Sequence, residues 1–232
     1  MNNLKDNLHK IRARISSACK KAGRDPQEIY VLAVSKRHPA RTIQALSQLG
    51  QSSFGENYVQ EALAKIKLLE PLNLEWHFIG PLQSNKTRQV AQHFQWVQSV
   101  DRLKTLRRLS DQRPDDLERL NVCIQVNIDR EPQKGGVMPE QARKLAEAAL
   151  NLPRTRLRGL MAIPRAGSDL HDPADSYQRM NVLFRSLRAD GIEMDTLSMG
   201  MSADLEAAIM HGSTMVRIGT DLLGERPRND KN

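Results

Sequence analysis

Short apolar runs that do not alternate with polar residues punctuate this chain, and amphipathic stretches separate them. Val31, Leu32, Ala33 and Val34 form the first run. A strand that is apolar on both sides is covered on both faces, as in a parallel sheet. The runs predict eight strands, at 29–35, 53–55, 74–79, 96–99, 122–128, 157–163, 196–199 and 215–218. Helical stretches lie between them. "PARTIQALSQLG" starts on Pro39 and stops at Gly50, the usual asymmetry of helix ends. "NYVQEALAKIKLLE" places Val59, Leu63, Ile66 and Leu69 on one face. "SNKTRQVAQHF" and "DRLKTLRRLSDQ" each begin with a capping residue, and "PEQARKLAEAALNLP" has an early proline. "DPADSYQRMNVLFRSLRADG" and "SADLEAAIMHG" both close at glycine. A further helix, over 4–22, precedes the first strand. Eight alternating strand–helix units predict a single (β/α)8 barrel over 1–232, with 1–25 packed on the barrel as an extra N-terminal helix and a disordered tail at 226–232. A doubly wound open sheet is the alternative. It calls for a glycine-rich turn after the first strand, and "VSKRHP" is not one.

In such a barrel the C-terminal strand ends form the functional face. Lys36 lies at one of them, and polar or small residues gather at others: "FGEN", "SVD", "VNIDRE", "SMGMS" and "RIGTD". Lys36 reads either as a strand-end lysine whose stem packs while its head meets water, or as a Schiff-base lysine made nucleophilic by partial desolvation. After the seventh strand, Gly200 permits close backbone approach and Ser202 is a good N-cap, an arrangement that suits a phosphate. Gly219 and Thr220, after the eighth strand, add a backbone N–H and a hydroxyl. The plainer alternative is an ordinary cap and a tight turn. An arginine at position 217 that points into the barrel needs a partner: a carboxylate such as Glu56, or a ligand's ring nitrogen or anionic group. Asn57 either caps the next helix or hydrogen-bonds a ligand. His77, inside an apolar run, reads as a satisfied structural histidine. Lys134 precedes two glycines, the pattern of a mobile loop over the mouth.

Composition narrows the classes. The 232 residues carry 35 Lys and Arg against 27 Asp and Glu, a formal charge of +8. That balance raises the question of a nucleic-acid partner. The basic residues are scattered, however, and aromatics make up only 4% of the chain, so a base-stacking platform is not expected. No apolar run approaches a membrane span and no apolar signal core opens the chain, so a cytoplasmic protein is expected. Cys19 and Cys123 stand far apart without metal-type spacing and read as reduced thiols; no metal is expected.

"AVSK", "FGENYVQE", "WHFIGPLQSNK", "GLMAIP", "SMGMSADLEAAI" and "VRIGT" occur in this order from about residue 4 to 224. Together they resemble the pyridoxal phosphate homeostasis proteins, which are similar to the N-terminal barrel domain of bacterial alanine racemase in the fold-type III group of pyridoxal enzymes. The resemblance implies that Lys36 forms an internal aldimine with pyridoxal 5'-phosphate and that Asn57 lines the pocket near the ring. It implies that Ser202, Gly219 and Thr220 hold the phosphate, that Met199 and Gly200 shape that wall, and that Arg217 faces the pyridine nitrogen. An arginine there donates to an unprotonated nitrogen, which leaves the ring a weaker electron sink. Two stretches depart from the family pattern: Arg37–His38 is more basic than usual, and "DLLGERPRNDKN" differs from the usual small-apolar sequel. The chain ends where alanine racemases continue into a domain that supplies a tyrosine base. The expected function is therefore to hold pyridoxal phosphate reversibly for vitamin B6 homeostasis, as a monomer, with pyridoxal-dependent apoenzymes as recipients and no nucleic-acid or membrane partner. The alternative is a slow amino-acid racemase with Tyr58 or His77 as the missing base.

Overall fold

Each apolar run forms a strand, and the strands close on themselves. The structure, a computed structural model, describes residues 2–165 and 173–225; the tail expected at 226–232 lies outside them. The strands are β1 (Tyr30–Val34), β2 (Ser53–Glu56), β3 (Glu75–Phe78), β4 (Trp96–Val100), β5 (Leu120–Gln125), β6 (Thr155–Met161), β7 (Thr196–Met201) and β8 (Met215–Ile218). They pair in parallel in chain order, and β8 returns to β1 through Tyr30↔Met215 and Leu32↔Arg217. The expected closed (β/α)8 barrel is present, and the open-sheet alternative fails on that last pairing.

The helices are α1 (Asn2–Ala22), α2 (Ala40–Ser47), α3 (Val59–Leu68), α4 (Thr87–His93), α5 (Leu103–Gln112), α6 (Pro139–Leu150), α7 (Pro173–Ala189), α8 (Leu205–Met210) and α9 (Thr220–Leu223). Among the described residues, no helix is long and apolar enough to cross a membrane. The helix α1 packs against α8 and α9. Arg14 fastens it there: Nε and Nη2 donate to Glu206 at 2.7 and 2.8 Å, Nη1 to Asp221 at 2.8 Å, and Nη2 to the Ser202 carbonyl at 2.7 Å.

Several helix starts differ from expectation. The helices α4 and α5 have Lys86 and Arg102 at the N-cap, with no side-chain cap bond. A single turn at Ser84–Lys86 takes the place of the first. Pro39 stands at the N-cap of α2 rather than inside its first turn. On α3 the buried positions are Val59, Ala62 and Lys65, while Leu63 and Ile66 are only half-buried. A lysine displaces the apolar face here because a buried carboxylate waits beneath it.

The barrel separates two interiors. Outward-pointing strand residues such as Phe54, Trp76, Phe78 and Val97 join the helices in one large apolar core. Inside the barrel, Trp96, Cys123 and Met161 form a small separate cluster. Polar side chains share the rest of the lumen: Ser53, His77, Gln98, Ser198 and Arg217 are all buried. His77 stacks on Trp96 with ring centroids 4.9 Å apart, and Glu75 and Gln98 engage both its nitrogens. It is the satisfied structural histidine expected, and its two engaged nitrogens remove it as a base at the barrel mouth.

Candidate functional site

The backbone around Lys36 is held on both sides. Ser35 N–H donates to the Gly55 carbonyl at 3.0 Å, continuing the ladder past β1. Arg37 then turns left-handed, at φ 64°. Its N–H donates to Glu61 Oε1 at 2.5 Å, and His38 N–H donates back to the Ser35 carbonyl at 3.0 Å. Lys65 completes the support. Its Nζ donates to Glu56 Oε1 at 2.7 Å, Glu61 Oε1 at 2.6 Å and the Ser35 carbonyl at 2.9 Å. Ser35 Oγ adds a bond to Glu56 Oε1 at 2.7 Å. Burial raises the Glu56 carboxyl above its ordinary range, and Lys65 and Ser35 work against that rise. Lys36 itself is half-buried, at the lip of the barrel. The sequence analysis did not single out Lys65; a lone lysine on an amphipathic helix gives no sign of burial.

Glu56 is thus the partner of Lys65 and not of Arg217. Arg217 is buried, donating Nη1 to Ser198 Oγ at 2.8 Å and Nη2 to the Ala162 carbonyl at 2.8 Å. Among the described residues no carboxylate lies within ion-pair distance of it. A guanidinium has five N–H donors, and these two bonds engage only part of that set.

Asn57 does not cap α3. Tyr58 occupies the N-cap, and Asn57 Oδ1 is buried with no hydrogen-bond partner among the described residues. Its main chain is fixed by close approach to Gly80, where a Cβ would stand 2.3 Å from the Asn57 carbonyl oxygen.

Ser202 does not cap α8 either. The strand β7 runs on to Met201, and Asp204 Oδ1 accepts from Met201 N–H at 2.6 Å. That bond closes a turn back onto the strand, so the helix starts only at Leu205. With six residues, α8 supplies little of the dipole expected at this end. At Gly200, φ is +91° and an added Cβ would stand 2.4 Å from Ala208 Cβ. The close approach that requires glycine there is made by α8. The Met199 side chain belongs to the outer apolar core, which leaves its backbone as what it can present to the mouth. Gly219 differs. A Cβ there would meet no protein atom nearer than 3.7 Å, so packing does not require glycine. Thr220, exposed, opens the short α9, whose first N–H groups have no helical acceptors.

Barrel closure brings these positions together. The strands β7, β8, β1 and β2 are consecutive neighbours, so Gly200 and Ser202, Gly219 and Thr220, Lys36, and Asn57 follow one another around one arc of the C-terminal mouth. A cleft of about 920 Å³ opens on the opposite arc, lined by Gln83, Asn85, Asp101, Gln125 and Lys134, and it meets the arc at Asn57. The Lys134 loop is tied down rather than loose. Lys134 Nζ donates to the carbonyls of Ile163 and Pro164 at 3.2 and 3.0 Å, and Asn127 Nδ2 donates to the Glu131 carbonyl at 2.8 Å.

Residues 3–227 match the family model of the alanine racemase N-terminal domain. The chain is 52% identical over 226 residues to the pyridoxal phosphate homeostasis protein of Pseudomonas aeruginosa, covering 97% of each. It is 50% identical over 234 residues to the protein of that name in Escherichia coli, covering 100% of each. Among solved structures, PipY of Synechococcus elongatus with pyridoxal phosphate bound superimposes with a TM-score of 0.83 at 33% identity, covering 95% of this chain and 100% of that one. The fold, the order of the mouth residues and these likenesses agree, and the chain belongs to the pyridoxal phosphate homeostasis protein family, built on the alanine racemase N-terminal domain.

Proposed function

We propose that the arc from β7 to β2 binds pyridoxal 5'-phosphate and that this protein holds the cofactor reversibly as part of vitamin B6 homeostasis. One observation carries the reading above the others. Among the described residues, a buried arginine with no carboxylate at ion-pair distance sits on the strand beside the one that delivers Lys36. Other features fit the group. Among the described residues the buried side-chain carbonyl oxygen of Asn57 has no partner, and Gly219 is a bare Cα where the chain's own packing does not demand one. Bound, the cofactor supplies an electrophilic aldehyde carbon on an electron-withdrawing ring.

In this reading Lys36 takes that aldehyde as a Schiff base with loss of water, and the pinned turn on either side of it fixes where the amine enters the mouth. Ser202, Gly219 and Thr220 hold the phosphate. Met199 and Gly200 form the wall behind it, Gly200 through the tight packing of α8. Asn57 borders the ring. Arg217 donates to the ring nitrogen and cannot give it a proton. That choice of partner favours holding over turnover, because an unprotonated ring withdraws electrons weakly. A reversible linkage at the mouth is compatible with delivery to pyridoxal-dependent apoenzymes, which this reading takes as the recipients.

The test is the visible spectrum of the purified protein before and after borohydride, for wild type and Lys36→Ala. A yellow band that borohydride abolishes and the variant lacks is the expected result. Binding of equal tightness and equal colour in Lys36→Ala would overturn the proposal.

A further inference from the structure

The barrel lumen holds an unbroken line of hydrogen bonds that ends on Arg217. Arg217 Nη1 donates to Ser198 Oγ at 2.8 Å, and Ser198 Oγ donates to Gln98 Oε1 at 2.7 Å. Gln98 Nε2 meets His77 Nδ1 at 2.9 Å, and His77 Nε2 meets Glu75 Oε1 at 2.8 Å. Ser198, Gln98 and His77 are fully buried. Glu75 opens on a cleft of about 290 Å³ at the N-terminal mouth, shared with Tyr30, Trp96, Arg158 and Asp195. A buried cation near one end of the barrel is thereby linked to a carboxylate at the other.

Elementary chemistry sets the direction of every bond in this line. A guanidinium only donates, so Ser198 Oγ accepts from it and has one proton left, which goes to Gln98. Gln98 accepts through Oε1 and therefore turns its NH2 toward His77. His77 accepts at Nδ1, so the proton of its neutral ring is on Nε2 and faces Glu75. Turning the amide over would set Gln98 Oε1 against His77 Nδ1. The ring proton would move to Nδ1, and a bare Nε2 would face a carboxylate. Burial holds His77 below its ordinary pKa, in the neutral form this order requires. Glu75 ends the line fully engaged: Tyr30 Oη and Ser53 Oγ also donate to Oε1, the latter at 3.2 Å, and Trp96 Nε1 donates to Oε2 at 3.1 Å.

We infer that Glu75, His77, Gln98 and Ser198 are positioning residues for Arg217: through the lumen they fix its orientation and where its remaining N–H groups point. The inference rests on the reading in which Arg217 faces the cofactor's ring nitrogen. Glu75 and His77 act only through the residues between them and Arg217.

Two measurements test it. In ligand-free wild type, nitrogen NMR of the imidazoles reports the His77 tautomer. The neutral Nε2–H form is expected; an Nδ1–H form, or a protonated ring near neutral pH, overturns the inference whatever the cofactor does. The second measurement titrates pyridoxal phosphate into wild type, Ser198→Ala, Ser198→Thr, Glu75→Gln and Arg217→Gln, reading affinity and absorption band. Ser198→Ala and Glu75→Gln are expected to weaken binding roughly three- to tenfold and to move the band in the same direction as Arg217→Gln, with borohydride trapping at Lys36 retained. Ser198→Thr keeps the hydroxyl and restores wild-type values. A band that Arg217→Gln moves and the other two leave alone overturns the positioning line while leaving the Arg217 reading intact. Wild-type behaviour of Arg217→Gln itself defeats that reading, and the inference with it. Should the near-isosteric variants fail to fold, the wild-type tautomer decides.

Discussion

Lys65 Nζ lies 2.7 Å from Glu56 Oε1, with both side chains almost entirely removed from water, directly behind the turn that carries Lys36. Removing one partner of a buried pair leaves the other charge uncompensated. Lys65→Met is therefore expected to destabilise the protein by about 3–5 kcal/mol, a fall in melting temperature of roughly 6–20 °C for a chain of this size. The double variant Lys65→Met/Glu56→Gln should recover part of the loss. Thermal melts of the three proteins check this, and a single variant within about 1 kcal/mol of wild type would show the pair to be dispensable.

Arg14 couples the N-terminal helix to the loops that follow β7 and β8, through Glu206, Asp221 and the Ser202 carbonyl. These contacts are partly exposed, so Arg14→Ala should lower stability by only about 1–2 kcal/mol. Its sharper consequence is for ligands. Affinity for pyridoxal phosphate should fall several-fold while affinity for pyridoxal, which lacks the phosphate, changes little. Equal losses for both ligands would place the phosphate elsewhere.

Gly200 and Gly219 flank the same arc and should respond differently to alanine. At Gly200 the left-handed backbone and the nearby Ala208 leave no room for a Cβ. Gly200→Ala is expected to destabilise by about 2–4 kcal/mol. At Gly219 the nearest protein atom to an added Cβ is 3.7 Å away, so Gly219→Ala should fold within about 1 kcal/mol of wild type and bind pyridoxal phosphate more weakly. Denaturant titrations paired with cofactor titrations separate the two, and a Gly219→Ala protein with undiminished affinity would remove that residue from the site.

Glu75 makes the stability of the fold depend on acid. Burial alone would raise its carboxyl, but hydrogen bonds from His77, Tyr30 and Trp96 outweigh that and hold it at about 2, against an ordinary 4.5. A carboxylate depressed by folding contributes stability that is complete above its unfolded pKa and lost as pH falls through the folded one. The window here runs from about 4.5 down to about 2. Discounted for the third of the side chain that meets solvent, the contribution is about 1–2 kcal/mol. Glu75→Gln should be less stable than wild type near neutral pH, and the gap should narrow as pH drops through that window. A gap of constant size in urea melts from about pH 7 to about pH 3 would contradict the assignment.

The sequence by itself determined the architecture. Apolar runs bounded by glycine, proline and caps mark eight buried strands, and a parallel sheet covered by eight helices has few ways to close. It also determined that Lys36, Asn57, Ser202, Gly219 and Thr220 stand at strand ends, because those ends are where the apolar runs stop. The tertiary structure decided what each residue faces. In a strand buried on both sides, period-2 alternation no longer separates inside from outside. "EWHF" does alternate polar with apolar, but only the closed barrel shows that its Glu75 and His77 side is the lumen while Trp76 and Phe78 enter the outer core. Local helix signals put Ser202 at a cap and Leu63 and Ile66 on the buried face. A strand that continues to Met201, and a carboxylate at Glu56 in need of a cation, outweighed them. Gln98 and Ser198 stand 100 residues apart in the chain, and only barrel closure lets a serine, an amide and an imidazole join a buried arginine to Glu75.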